Sequence, residues 1–188
     1  TSGTIDAATT LGANAILTLG TGAASGSING LADNTGVLDF NDDNSLAINI
    51  GDTHSLATIN VAAGKTILVN SYNVSASSIN LDSGATLNIT SGEISGTIDG
   101  LSANQGIVNL NEDRSIASTM LIGSSNGIAR VNILSGVDIT SHSSITAATL
   151  AIAASGSLNL DAGKIITGNV TLNSGAALTL NNSSQVNG

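Results

Sequence analysis

Residues 26–46 read GSINGLADNTGVLDFNDDNSL and residues 96–116 read GTIDGLSANQGIVNLNEDRSI. Nine of these twenty-one positions are identical at an offset of 70, and most of the others are conservative. The register continues: LATINVAAG at 56–64 returns as IARVNILSG at 128–136, now at an offset of 72, and LNITSGEI at 87–94 returns as LNLDAGKI at 158–165. The chain, 1–188, is read as one segment carrying a tandem repeat of about 70 residues, 26–94 and 96–168.

Within that unit apolar residues recur at every second position, as in Leu17 and Leu19, Ile59 and Val61, Leu87 and Ile89, Val131 and Ile133, or Leu158 and Leu160. A period of two places alternate side chains on one face of a pleated strand. Gly, Asn, Ser and Asp fill the intervals, and these residues favour turns. A shorter period lies inside the long one. Ala63-Gly64, Ser83-Gly84, Ser135-Gly136, Ser155-Gly156 and Ser174-Gly175 each precede alternating aliphatics, with glycine spacings of 20 (64 to 84), 20 (136 to 156) and 19 (156 to 175). A period near 20 suits one coil of a parallel β-helix, and 188 residues divide into about nine coils. The expected fold is all-β: a right-handed parallel β-solenoid, since parallel crossovers are overwhelmingly right-handed. Tight hairpin turns of the Asn29-Gly30 and Asp99-Gly100 kind are too few for a sandwich.

Composition agrees. The mass of 18.4 kDa over 188 residues is about 98 Da per residue, against roughly 110 for average usage. Phe40 and Tyr72 are the only aromatics, and there is no Pro, Cys or Trp. A narrow column of Ile, Leu, Val and Ala has no room for many rings, and a proline in a central strand would remove a ladder bond. Only 9% of residues are charged, which argues against disorder. The net charge of −9, with four basic residues (Lys65, Arg114, Arg130, Lys164), offers no footprint for nucleic acid. The longest apolar-leaning stretch, Ile145 to Ala154, is too short for a spanning helix.

The stretch NTGVLDFNDDNSLAINIGDTHSLATINVAAGKTILVNS resembles the passenger domains of bacterial autotransporters. Ser83 to Ile89 and Ser155 to Leu160 carry the Ser-Gly coil phrase frequent in that family. Gly36 to Asn41 and its partner Gly106 to Asn111, followed by Ile50-Gly51 and Ile122-Gly123, are similar to the surface cell antigens of rickettsia-type bacteria. The resemblance implies export and display on the bacterial cell surface through a separate C-terminal barrel, with a host-cell receptor or glycan as partner. These residues hold no ten-residue lipid-facing strands with aromatic girdles. The start at Thr1 without Met is what an excised passenger fragment predicts.

Chemistry is sparse. Two acidic pairs at equivalent positions, Asp42 with Asp43 and Glu112 with Asp113, sit among Asn41, Asn44 and Asn111 and are the candidate calcium ligands. They lack the spacing of known calcium loops, and Arg114 lies beside the second pair, so a solvated corner is the favoured reading. A sugar-cleaving β-helix enzyme would need facing carboxylates, for which Asp39, Asp43 and Asp82 are the candidates. His54 and His142 do not recur in the other copy and read as polar corners. Phe40 and Tyr72 read as packing residues, with Tyr72 a recognition residue if exposed. Thr86, Thr97, Thr149 and Thr179 fall at different phases, so no ice-binding ladder is expected. The expected protein is a non-catalytic extracellular scaffold or adhesin segment without cofactor; the alternative is a subunit that self-associates through its solenoid ends into a filament or surface layer.

Overall fold

Short strands with one apolar face are stable only when other strands cover that face and supply ladder partners. The chain meets both needs by winding into stacked coils. The computed structural model describes residue 5, residues 7–21 and residues 24–188. Every strand pairing among them is parallel, and no helix occurs. The architecture is a parallel β-solenoid of about nine coils, as the sequence predicts.

Three faces make up each coil. On face A nine strand positions stack in one register: Leu17, Leu38, Ile59, Ile79, Ile98, Ile122, Ile145, Ile166 and Val186. The seven from Leu38 to Ile166 are buried, which forms a continuous aliphatic column. Each such side chain contributes about 1.5–3 kcal/mol by leaving water. Face B carries a second column, Leu46, Val69, Ile89, Leu110, Ile133, Ile152 and Leu172. Phe40 packs beside these columns and is fully buried, whereas Tyr72 stands exposed at a corner.

Face C is built in two pieces. Ile28, Ile50 and Val74 are joined by single bridges, and Ile94 pairs with Val74. The second piece consists of Arg114–Ile116, Asp138–Ser141, Ser157–Leu160 and Ala177–Leu180, stacked in that order. No backbone pairing joins Ile94 to Arg114–Ile116 among the described residues.

The cause is the relation between the two repeat copies. Ile28, Leu38 and Leu46 lie on faces C, A and B, while their counterparts Ile98, Val108 and Ile116 lie on A, B and C. One copy therefore advances three coils plus one face, and the second copy is turned by a third of a revolution. Faces A and B run unbroken across the junction; face C has a seam.

The Ile-Gly phrase has a physical role in this stack. Gly51 follows Ile50 with φ 70°, and a Cβ there would stand 2.1 Å from the Ser75 carbonyl oxygen. Gly123 follows Ile122 with φ 71° and would meet the Thr146 carbonyl oxygen at 2.0 Å. Successive coils approach too closely at this corner for any side chain.

Candidate functional site

The acidic pairs sit at corners where a new strand begins and its first backbone N–H groups need acceptors. Asp43 Oδ1 accepts from the Thr66 N–H at 2.7 Å, and Asp113 Oδ1 accepts from the Asp138 N–H at 2.8 Å. The repeated aspartate is thus a bracket that holds the next coil. Asp42 is in turn bound by the Lys65 ammonium at 2.9 Å and by the Asp43 N–H. Because the copies are rotated, Asp42 and Asp43 lead into face B while Glu112 and Asp113 lead into face C. The structure does not bring the two pairs together, and no cluster of three His, Cys, Asp or Glu side chains in reach of one metal ion occurs among the described residues.

Lys65 holds the Asp42 carboxyl below its ordinary 3.8, first through their hydrogen bond, and Asp42 raises Lys65 above 10.5 in return. A depressed carboxylate contributes stability above pH 3.8 that is lost as pH falls through the folded value; a raised lysine contributes below 10.5 and loses it as pH rises. In Lys65→Met the Asp42 carboxyl resonance is expected to titrate with a midpoint shifted up toward 3.8. An unchanged midpoint in a carbon-13 titration would reject the pairing.

The carboxylates considered for sugar cleavage are engaged in structural bonds. Asp39 Oδ1 accepts from Asn60 Nδ2 at 2.8 Å, and Asn60 Oδ1 accepts from Asn80 Nδ2 at 2.9 Å, which makes an outward ladder along face A. Asp82 Oδ1 accepts from the Ser83 N–H at 2.6 Å. Asp39 and Asp82 border one shallow groove of ≈ 280 Å³. Their coils are two steps apart, about 9.6 Å along the axis, which is at the far limit of an inverting pair and beyond a retaining one. Similar amide ladders link Asn88, Asn109 and Asn132 on face B. Each histidine meets a carboxylate from another coil: His54 Nδ1 lies 3.2 Å from Asp33 Oδ1, and His142 Nδ1 is bonded to Asp161 Oδ2.

The least routine chemistry lies at the face C seam. Arg114 pairs in register with Ile139, Leu158 and Leu178, so its side chain starts from a core-facing position. The missing ladder leaves a cleft of ≈ 310 Å³, with Thr90, Gly92, Glu93 and Ile94 below and Glu112, Arg114, Ala117 and Met120 among the residues above. Backbone bonds close its two flanks, Asn111 N–H to the Ile89 carbonyl at 2.9 Å and Gly96 N–H to the Thr119 carbonyl at 2.9 Å. Arg114 Nη2 donates to the Gly92 carbonyl oxygen at 2.7 Å, in place of the absent strand. Asn44 in the first copy does the same to Gly20 at 3.4 Å.

Arginine brings more donors than this task requires. Among the described residues Arg114 Nη1 is buried without a hydrogen-bond partner, as is Asn111 Oδ1, an arrangement that costs about 1–3 kcal/mol for each group. Burial pushes the guanidinium pKa below its ordinary value, and Glu93 and then Glu112 oppose that fall. In the sequence Arg114 stands only as a cation beside Glu112 and Asp113; its inward register becomes visible once the copies are placed on different faces. Compared with protein-family models, curated proteins and solved structures, the chain matches none.

Proposed function

We propose that this chain is a non-catalytic segment of a rigid rod displayed on a bacterial surface, an autotransporter-type passenger solenoid that carries an adhesive surface away from the cell. The observation that carries the reading is the unbroken face A ladder of nine strands, seven of them joined by the buried aliphatic column. Each coil adds about 4.8 Å, so the segment contributes roughly 43 Å of stiff length. Outward ladders of side-chain amides are bonded along the axis on faces A and B, and the net charge of −9 discourages lateral sticking. An antibody against the isolated chain is expected to label intact cells of the producing bacterium. Labelling only after permeabilisation overturns the surface assignment.

End-to-end assembly into a filament or surface layer is a second reading, favoured by parallel ladders that already join coil to coil in register and would join copy to copy in the same way. Light scattering separates the two. A mass independent of concentration supports the single rod, and growth into fibres supports assembly.

A further inference from the structure

We propose that the face C seam is a binding site for a neutral saccharide unit, held by Arg114, Glu93 and Glu112. The cleft of ≈ 310 Å³ lies at the lower end of small-molecule pockets, roughly 300–1,000 Å³. In volume it holds on the order of ten waters or a small ring compound, and it has no space for a folded partner.

The donor and acceptor set decides the ligand class. The Arg114 guanidinium has five N–H donors and, among the described residues, makes one bond, Nη2 to the Gly92 carbonyl. It needs acceptors. Glu93, Glu112 and Asp113 line the same cleft and, when ionised, only accept. They need donors. An anionic ligand satisfies the arginine but faces three carboxylates, and Asp113 has one oxygen engaged by the Asp138 N–H. A cationic ligand satisfies the carboxylates and repels Arg114. A hydroxyl group accepts and donates at once, so an uncharged polyol answers both halves of the site. Ile94, Ala117 and Met120 supply an apolar wall against which the C–H face of a sugar ring can rest.

The comparison between copies strengthens the assignment. Asn44 performs the structural bond at the equivalent corner, so that bond alone does not require arginine. The longer side chain leaves Nη1 sealed and unpaired, an arrangement that a bound acceptor relieves when it draws the guanidinium toward the opening. This inference deepens the adhesive part of the proposed function without resting on it, because it concerns the isolated chain.

The test is a nuclear magnetic resonance titration of the isotope-labelled chain with galactose, glucose, mannose and N-acetylglucosamine, and with glucuronate as the anionic comparison. At least one neutral sugar is expected to shift amide signals of Glu93, Ile94, Glu112, Arg114 and Met120, with a dissociation constant in the millimolar range typical of weak single-ring binding (~1 mM corresponds to −4.1 kcal/mol). Arg114→Asn, which installs the side chain that serves at position 44, is expected to keep the fold and weaken the response at least about tenfold. Glu93→Gln separates polar contact from charge, and a modest loss is expected because an amide still accepts a hydroxyl. Three results overturn the site: no cleft shifts with any neutral sugar at ~100 mM, a response unchanged in Arg114→Asn, or stronger binding of glucuronate than of every neutral sugar. Failure here leaves the surface assignment intact, since cell labelling tests that separately.

Discussion

Gly123→Ala is expected to lower the stability of the solenoid by about 3 kcal/mol or more, read as the shift of the urea midpoint by far-ultraviolet circular dichroism. Two penalties combine there. The residue has φ 71°, and the added methyl carbon would stand 2.0 Å from the Thr146 carbonyl oxygen, a backbone atom that cannot swing aside. Gly136→Ala is the control: its φ is 73°, but no atom of the described residues lies within 4 Å of an added Cβ. That variant should lose only the left-handed penalty of about 1–2 kcal/mol. Equal losses in the two variants would show that the close approach of the coils contributes nothing.

The same corner shows what the sequence conveys and what it hides. Ile50-Gly51 and Ile122-Gly123 stand out in the sequence as a family-like phrase, and the coil approach gives them a cause: the isoleucine fills a buried ladder position and the glycine admits the next coil's carbonyl. The coil period was legible because glycines and alternating aliphatics mark it directly. One detail differs. At the corner stacked between those of Gly136 and Gly175, the left-handed residue is Ser155, with φ 57°, one position before Gly156. The rotation of the copies was available only as arithmetic, since a repeat of about 70 residues is not a whole number of coils of about 20. The consequences of that remainder depend on three-dimensional pairing. It turns Arg114 into the core-facing register of Ile139, sends the two acidic pairs to different corners, and opens the seam that Glu93 and Glu112 line. Composition cannot convey this, because Arg114 and Asn44 look like ordinary turn residues until their ladder partners are known.

Ile98→Ala is expected to cost about 3–4 kcal/mol, within the range for a buried aliphatic truncated to alanine. Ile98 is fully buried and is the first face A residue of the second copy, seated between Ile79 of the first copy and Ile122 of its own. Removing its side chain leaves a void in the column that crosses the junction, beside a seam where face C already lacks its ladder. Each coil touches only its neighbours, so the loss should stay local. Amide exchange is expected to accelerate in the strands Val74–Leu81, Ile94–Gly100 and Met120–Ile122, and to change little in Ser157–Leu160. Ile16→Ala supplies the contrast, because Ile16 is 65% exposed and points away from the column. Its cost should stay within about 0.5 kcal/mol. Comparable costs for the two variants, or exchange that accelerates uniformly along the chain, would contradict a stack held coil by coil through its aliphatic columns.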